Sequence, residues 1–441
     1  MPAFVPAFFP GFPSHFTTAP SVARALRFSL RLGVEVVFLF DTGCAGFAPP
    51  LRYTRSWMHP KILVSAGEAS GDLYASLVVA ELRRIWPDAE FFGCTGPRLR
   101  AAGVRTVVDA ASLAVVGLVE VVSHIPRIYG EYRKLLATAS TARPDLAILT
   151  DSPDFHLRVA RKLHQQGVPV VYLVAPQAWA WRKGRVRQMR RTLRRLLCIF
   201  PFEEEFFTRH GVATTYIGHP LAGLVHPALS RDEFFRKHRL AAERPLITVL
   251  PGSRQGEAAR HLPALLDAVE RIYREQAVNV VLPASATTGA AFFTGRLGRS
   301  PIQVIEGESW DAMAHADLAL AASGTVTVEA ALLGTPMVTF YKVTAASWLA
   351  GKFLVDVPFY SMVNLIAGRA VVPELMQSQM TGPNLAREAL RLLGDQRARA
   401  AMQSGLAEVR QKLAGGAAAP ERAALAIQEI LEGHVTHVSQ S

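Results

Sequence analysis

Short apolar runs alternate with helix-length amphipathic segments along most of this 441-residue chain, and this alternation constrains its fold more than any other feature. Runs such as KILVSA, DLAILTD and VPVVYLVA are apolar throughout instead of alternating with polar residues. Strands of this kind occur in parallel sheets that are covered on both faces by helices. The pattern predicts an α/β fold built on doubly wound parallel sheets.

The alternation occurs as two series, one beginning at Lys61 and the other at Pro245. The proline-containing segment GHPLAGLVHPALSRDEF separates them, as expected for a linker. We predict two doubly wound domains that face a cleft, at residues 58–222 and 223–400, followed by a helical tail at residues 401–441. Because ligands of open α/β sheets bind beyond the carboxyl ends of the strands, functional residues should follow strands.

The first 57 residues differ from the rest, since MPAFVPAFFPGFPSHFTTAP is rich in Phe and Pro and has no period. Met58 then opens MHPKILVSAGE, which is typical of the start of an α/β domain. Our hypothesis is that residues 1–57 are a disordered or misassigned extension. A transit peptide is the alternative, because Arg24, Arg27 and Arg31 lie among apolar residues.

The formal net charge of +12 favours partners that carry phosphate: nucleic acid, anionic lipid or a phosphorylated substrate. The three cysteines are far apart and form no CxxC pair, which favours a reducing compartment and disfavours structural zinc. No charge-free apolar run reaches the roughly 18 residues that span a bilayer.

Two turns of the second domain have the character of phosphate sites. In LPGSRQGE, Gly252 and Ser253 offer backbone N–H groups and Arg254 offers a bidentate clamp, the alternative being a turn with a surface arginine. In AASGTVTVEAALLGTPMV, a strand gives way to a helix at three small residues, where the helix N-terminus attracts an anion; these are Ser323, Gly324 and Thr325.

Glu329 lies one turn along that second helix and is placed to bind ribose hydroxyls. The alternative is a well-capped helix with a solvated glutamate. We favour the binding of a nucleotide-sugar phosphate, because both turns belong to one domain.

Two first-domain segments carry carboxylates. In ILTDSPDFHL, Asp151 follows a strand and suits a general base, whereas Asp154 suits a helix cap. The DxxD spacing does not indicate a metal clamp. GEASGD, at residues 67–72, is not a GxGxxG loop, and Glu68 and Asp72 would repel a diphosphate. We therefore do not expect GEASGD to bind a diphosphate, and its acids suit hydroxyl acceptors or helix caps.

A basic segment, APQAWAWRKGRVRQMRRTLRR, combines Trp179 and Trp181 with eight cations and no acid. It suits phosphate or an anionic membrane; nucleic acid is the alternative, although no RNA-binding sheet motif occurs. The apolar segment SLAVVGLVEVVSHIPRIYGEYRKLL is expected to form a core helix instead of an acyl-chain patch.

The motifs occur in a distinctive order: SAGEASGD, GPRLRAAG, LAVVGLVEV, TDSPDF, APQAWAWR, FPFE, YIGHPL, LPGSR, SGTVTVEAALLGTPMVTFYK and NLIAG. From about Lys61 to about Gln377 the chain resembles the lipid-A-disaccharide synthase family. It departs mildly in DSPDFH and APQAWAWR, where the family often has other small or polar residues, but the carboxylates and tryptophans remain.

The resemblance implies a GT-B glycosyltransferase with two Rossmann-like domains, inverting and independent of metal or other cofactors. It implies UDP-2,3-diacylglucosamine as donor, 2,3-diacylglucosamine 1-phosphate (lipid X) as acceptor, and a β-1,6 disaccharide 1-phosphate and UDP as products. It further implies a cytoplasmic protein, peripheral on the anionic inner membrane, that binds no nucleic acid and is able to form a homodimer through its C-terminal region.

The resemblance also implies roles for individual residues. Asp151 is the base, Arg254 and the helix at Ser323 bind the diphosphate, and Glu329 binds ribose. Further donor-side residues are Asn364, Glu374 and Gln377. Residues on the acceptor side are Glu68, Ser70, Asp72, Glu120, Asp154, Trp181 and Arg182, which would make GEASGD a sugar-side loop. The alternatives are a UDP-sugar 2-epimerase of the same fold and a non-catalytic basic protein that binds membranes or nucleic acid.

Overall fold

A computed structural model describes residues 25–30, 34–39, 59–113, 120–180, 184–285, 287–344, 348, 357–415 and 418–438, with side chains of α3 described from residue 126. The chain divides into two units, residues 1–59 and 60–441. In the first unit, β1 (Ala25–Leu30) and β2 (Val34–Leu39) pair as an antiparallel hairpin. The rest of the predicted extension at residues 1–57 lies outside the described residues.

The first domain of the larger unit is built on a seven-stranded parallel sheet with the order β5-β4-β3-β6-β7-β8-β9. Its strands are β3 (Lys61–Ala66), β4 (Glu90–Thr95), β5 (Arg105–Asp109), β6 (Leu146–Thr150), β7 (Val170–Leu173), β8 (Arg195–Cys198) and β9 (Thr214–Tyr216). Its helices are α1 (Ala69–Ile85), α2 (Pro97–Ala101), α3 (Glu120–Ala142), α4 (Pro153–Gln165), α5 (Gly184–Thr192) and α6 (Pro201–Arg209).

The second domain has a six-stranded parallel sheet with the order β12-β11-β10-β13-β14-β15. Its strands are β10 (Leu246–Leu250), β11 (Asn279–Ala284), β12 (Gln303–Glu306), β13 (Leu318–Ala322), β14 (Met337–Tyr341) and β15 (Glu374–Met376). Its helices are α7 (Arg231–His238), α8 (Gln255–Glu275), α9 (Ala290–Thr294), α10 (Ser309–Ala314), α11 (Thr325–Leu333), α12 (Met362–Ala367), α13 (Gly382–Gly394) and α14 (Gln396–Ala414).

The two parallel sheets confirm the predicted α/β architecture. Every residue of β6 and β10 is buried, as continuous apolar runs require of strands at the centre of a covered sheet. Because all strands of a sheet run in the same direction, the loops after them meet at one edge. Asp151 and Gly67 meet at that edge of the first sheet, and the turns after β10 and β13 share the corresponding edge of the second.

The predicted linker ends earlier than its proline pattern indicated. A short 3-10 turn covers Pro220–Gly223, and α7 begins at Arg231 with a capping box formed by Ser230 and Glu233. Phe234, which we placed in the linker, is fully buried on this helix. The prediction was wrong at this end because a capping box followed by two phenylalanines starts a packed helix.

The C-terminal part of the apolar segment at residues 112–136 belongs to α3 but lies mostly at the surface. Among its side chains at residues 126–136, only that of Leu135 is buried, and Tyr129 is 58% exposed. The prediction of a core helix is therefore wrong for this part. Residues 114–119 lie outside the described residues.

The C-terminal helices connect the two domains. Helix α14 packs on α11 and α12 of the second domain, and α15 (Ala419–Val438) packs on α1 of the first. Between them, Gly415 crosses the backbone of Gly218 so closely that a Cβ on Gly415 would lie 2.9 Å from the Gly218 Cα. Arg422 fastens this crossing by donating to the carbonyls of Gly415 and Tyr216, the latter at 2.5 Å.

We expect Arg422→Ala to lower the free energy of unfolding by about 1–3 kcal/mol, because two carbonyls lose a charged donor. Chemical denaturation measures the loss. The exposed Arg410→Ala on α14 removes the same charge and should shift stability by less than about 0.5 kcal/mol. Equal losses in both variants would contradict the bracing role of Arg422.

Candidate active site

Asp151 occupies a constrained turn at the carboxyl end of β6. Asp151 and Ser152 have φ angles of +54° and +34°, in the left-handed region that residues other than glycine seldom adopt. The buried Tyr172 hydroxyl donates to the backbone carbonyl of Asp151, and His156 Nδ1 lies 3.0 Å from the same oxygen. The rest of the domain therefore holds this turn in a costly conformation, which is common at functional sites.

His156 is a neutral brace for this turn. A carbonyl oxygen only accepts, so Nδ1 carries the proton, and Nε2 accepts from the Ser65 hydroxyl at 2.7 Å. Burial lowers the pKa of His156 to about 4. The imidazole therefore positions Asp151 without supplying a positive charge to it at neutral pH.

The Asp151 carboxylate is 12% exposed and receives two backbone N–H groups. Oδ1 accepts from Gly67 at 2.8 Å, and Oδ2 accepts from Glu68 at 3.1 Å. Burial nevertheless raises the pKa of Asp151 to about 7. A carboxylate with this pKa is suited to accept a proton near neutral pH.

The glycines of GEASGD make room for this carboxylate. A Cβ on Gly71 would lie 1.7 Å from Asp151 Oδ2, and one on Gly67 would lie 3.1 Å from Oδ1 and 2.5 Å from Ser152 Oγ. Since real Cβ atoms do not approach other atoms so closely, residues 67–72 enclose an acid of their own domain. The loop is thereby part of the Asp151 site.

Asp72 has a structural role within this loop. Its buried carboxylate accepts the N–H groups of Gly96 and Arg98, both at 2.7 Å, and of Leu99 at 3.2 Å. The prediction that Asp72 binds an acceptor hydroxyl is wrong, because its buried carboxylate already accepts these three N–H groups. The alternative prediction, that Asp72 caps a helix, is confirmed, and the helix is α2. Glu68 and Ser70 are exposed at the start of α1, and Glu68 makes no side-chain cap.

Asp154 does not cap α4, because the helix begins at Pro153 with Ser152 in the N-cap position. The capping prediction is therefore wrong. Asp154 is 73% exposed in the first turn and accepts from Arg185 of α5. Three other acceptor-side predictions, the side chain of Glu120 and residues Trp181 and Arg182, lie outside the described residues.

Trp179, just before that undescribed segment, is anchored by a contact that the sequence did not predict. Its Nε1 donates to Glu203 Oε1 at 3.0 Å, and Glu203 Oε2 accepts from the Phe200 N–H at 3.2 Å. Burial raises the pKa of Glu203 to about 8. The motifs APQAWAWR and FPFE thus belong to one cluster, in which Glu203 holds the loop after β7 against α6.

The first predicted phosphate turn lies at the N-terminus of α8. Ser253 and Arg254 are exposed, and Arg254 occupies the N-cap position without a side-chain cap. The Ser253 carbonyl accepts from the Thr288 hydroxyl at 2.8 Å. The turn is therefore anchored from behind, while its arginine faces solvent at a helix N-terminus.

The second predicted phosphate turn opens α11. Gly324 and Thr325 are exposed, and no side chain caps the helix, so its first N–H groups remain available. The Ser323 hydroxyl donates to the Tyr360 carbonyl at 2.9 Å. This bond ties the turn to the loop before α12.

Glu329 lies where the two domains face each other. Its Oε2 accepts from Trp310 Nε1 at 2.8 Å, and burial raises its pKa. Burial, and next the charge of Glu329, raise the pKa of Tyr74 on α1 of the first domain. Glu329 is therefore a half-buried cleft residue, and the alternative of a solvated glutamate is wrong.

The buried side-chain amide of Asn364 makes all of its hydrogen bonds within the second domain. The prediction that Asn364 lines the donor site is therefore wrong. Its Oδ1 accepts from Val371 and Val372 at 2.7 and 3.0 Å, and its Nδ2 donates to Glu374 Oε1 at 2.8 Å. Glu374 in turn accepts the N–H groups of Tyr360 and Ser361, at 3.0 and 2.9 Å. Asn364 and Glu374 thus shape the loop that bonds to Ser323.

Gln377 has a left-handed backbone, with φ of +51°. In one orientation its side-chain amide donates to the Val343 carbonyl at 3.2 Å and accepts the Val343 N–H at 3.0 Å. It therefore extends the edge of the sheet beyond β15. Within the described part of the chain, no group of three or more His, Cys, Asp or Glu residues is placed to hold a metal ion.

The two Rossmann-like sheets, the cleft residues and the returning C-terminal helix define a GT-B fold. Solved structures share this fold at low identity. The calicheamicin glycosyltransferase CalG4 is 17% identical with a TM-score of 0.54, over 85% of this chain and 99% of its own. The MnaA–UDP co-structure from S. aureus is 13% identical with a TM-score of 0.61, over 85% and 97%.

Sequence comparison then gives the family. The lipid-A-disaccharide synthetase model matches residues 62–428, and the chain belongs to this family. The lipid-A-disaccharide synthase of Solibacter usitatus is 85% identical over 380 residues, covering 86% of this chain and 100% of that protein. Those of Koribacter versatilis and Myxococcus xanthus are each 42% identical, covering 84% of this chain and 99% and 98% of theirs.

We expect Gly71→Ala to reduce turnover by about 100-fold or more, because the new methyl group displaces the Asp151 carboxylate from its donors. Gly130→Ala on α3 is the matched control, since a Cβ there meets nothing within 4 Å. Steady-state kinetics and thermal unfolding of both variants check this. Full turnover in a folded Gly71→Ala protein would contradict the role of the loop.

Proposed function

We propose that this protein transfers the sugar of UDP-2,3-diacylglucosamine to 2,3-diacylglucosamine 1-phosphate, giving a β-1,6 disaccharide 1-phosphate and UDP. Family membership supports the reaction class. The observation that carries the mechanism is the strained, glycine-enclosed Asp151, whose pKa of about 7 suits a general base. In this proposal residues 58–222 form the acceptor domain and residues 223–400 the donor domain.

In the proposed reaction Asp151 accepts the proton of the acceptor 6-hydroxyl while the hydroxyl oxygen attacks the anomeric carbon of the donor. A new carbon–oxygen bond forms as the bond from the anomeric carbon to the UDP oxygen breaks, and the electron pair leaves with UDP. Attack opposite the leaving group inverts the anomeric configuration. The exposed Glu68 and Ser70 beside Asp151 are candidates to bind acceptor hydroxyls.

The second domain is proposed to stabilise the diphosphate on which negative charge develops. Arg254 at the N-terminus of α8 offers a charged donor, and the uncapped start of α11 offers backbone N–H groups. Glu329, oriented by Trp310, is proposed to bind the ribose hydroxyls. Asn364, Glu374 and Gln377 support the donor site from behind.

The 2-epimerase alternative has support only at the level of fold. A putative UDP-N-acetylglucosamine 2-epimerase from Listeria monocytogenes is 14% identical with a TM-score of 0.55, over 87% of this chain and 98% of its own. The family match favours the transferase instead.

Diacylated substrates place the reaction at a lipid surface, and we propose that the protein is cytoplasmic and peripheral on the inner membrane. No helix in the described ranges is long and apolar enough to cross a bilayer. The basic face of α5 is the proposed contact with anionic lipid. Association as a homodimer remains a prediction, as does the absence of nucleic acid as a partner.

We expect Asp151→Asn to lower turnover by about 100- to 10,000-fold, because the amide cannot accept the proton, while UDP affinity stays within about twofold, because the proposed UDP site lies in the second domain. Since the base acts when ionised, wild-type kcat/KM should rise with pH through about 7. A UDP-release assay with and without lipid X measures turnover and its pH dependence, and calorimetric titration measures UDP affinity. Asp232→Asn, exposed on α7, is the control. Wild-type turnover in Asp151→Asn would refute the assignment of the base.

We expect Arg254→Ala to weaken UDP binding by about 10- to 100-fold, the loss of a charged hydrogen bond to phosphate. Arg274→Ala, exposed near the other end of α8, removes the same charge away from the turn. Calorimetric titration of UDP into both variants makes the comparison. Unchanged UDP affinity in Arg254→Ala would contradict the proposal that Arg254 binds the diphosphate.

A further inference from the structure

A cationic cavity lies on the first domain, away from Asp151. It has a volume of about 420 Å³ and lies between α4 and α5. Its charged lining comes from both helices: Arg161 and His164 on α4, and Arg187 and Arg191 on α5. Because a helix rises about 1.5 Å per residue, Arg161 lies about 12 Å along α4 from its first residue, Pro153, which follows the Asp151 turn.

The packing of α5 forces its arginines towards this cavity and the solvent. Val186, Met189 and Thr192 recur at a spacing of three and form the buried face of the helix. Gln188 fixes the helix to α4 by donating to the Leu157 carbonyl at 2.7 Å. The contact between α4 and α5 therefore does not depend on the cations that line the cavity.

The cations in the lining have no acidic counterparts. In the described ranges, no carboxylate lies within 4.0 Å of the guanidinium groups of Arg161, Arg187 or Arg191, whereas Arg185 on the same helix pairs with Asp154. Arg187 and Arg191 are four residues apart, so their like charges repel each other on one helix face. A bound anion would relieve that repulsion.

We propose that this cavity binds a phosphate group, as a monoester or diester, through Arg187 and Arg191 of α5 and Arg161 of α4. Guanidinium groups from two walls suit the tetrahedral oxygens of phosphate, which they bind bidentately. The volume exceeds that of phosphate alone and leaves room for an ester substituent such as glycerol. The ligand is either the headgroup of an anionic lipid or a water-soluble phosphate ester, and the site is separate from the proposed transferase centre.

The test compares two double variants of the full chain. Arg187→Gln with Arg191→Gln removes two lining cations, whereas Arg133→Gln with Lys134→Gln removes two exposed cations of α3 that do not line the cavity. Glycerol 3-phosphate is titrated by calorimetry, and pelleting is measured with phosphatidylcholine vesicles with and without phosphatidylglycerol. Titrations repeated in Arg254→Ala separate this cavity from the phosphate turn of the second domain.

We expect the lining pair to weaken binding by about tenfold or more and the control pair by about twofold or less. Binding of glycerol 3-phosphate identifies a soluble ester as a ligand, and binding only to anionic vesicles identifies a lipid headgroup. Arg161→Gln tests the contribution of the α4 wall. It also replaces the lining pair in the comparison if thermal unfolding shows that this double variant does not fold.

Equal weakening by both pairs would overturn the proposal in favour of diffuse surface charge. So would a wild-type protein that binds neither probe. Disaccharide formation by the wild-type protein is measured in parallel with detergent-dispersed substrates. Its absence would refute the proposed reaction without bearing on the cavity, so the two failures are distinguishable.

Discussion

The placement of one buried carboxylate, that of Asp151, organises the first domain. Four segments converge on it: β6 delivers the residue, the loop after β3 donates two N–H groups, Tyr172 on β7 binds its carbonyl, and His156 connects that carbonyl to Ser65. The cost of two left-handed residues and a desolvated acid is distributed over these contacts. The result is an acid whose position is fixed and whose proton affinity is high enough for proton transfer near neutral pH.

The second domain offers a negatively charged ligand a different kind of site. Its candidate phosphate sites are helix N-termini and one exposed arginine, which need little burial. Their positions depend on a hydrogen-bond chain that runs from Asn364 through Glu374 and the Tyr360 loop to Ser323. In the proposed reaction, proton transfer belongs to the first domain and stabilisation of the diphosphate charge to the second, with Glu329 and Tyr74 where they meet.

The sequence predicts those parts of this structure that depend on local pattern. Central strands such as β6 follow from continuous apolar runs, but β5, with charged residues at both ends, and the three-residue β15 lack that signal. Asp151 was found because it follows a strand. Asp72, Asn364 and Glu203 were misplaced or missed, because their partners are distant in sequence or depend on a loop conformation that apolar periodicity does not encode.

The crossing of Gly218 and Gly415 has a mechanical consequence. The chain passes between the domains there in both directions, and the two passes are in backbone contact and fastened by Arg422. Two adjacent connections act as a single pivot, which permits rotation of one domain against the other but resists their separation. Rotation about this pivot would change the gap between Asp151 and the α11 N-terminus and would leave the hydrogen bonds of both sheets in place. Bulky diacylated substrates could thus enter and leave while the Asp151 turn keeps its strained shape.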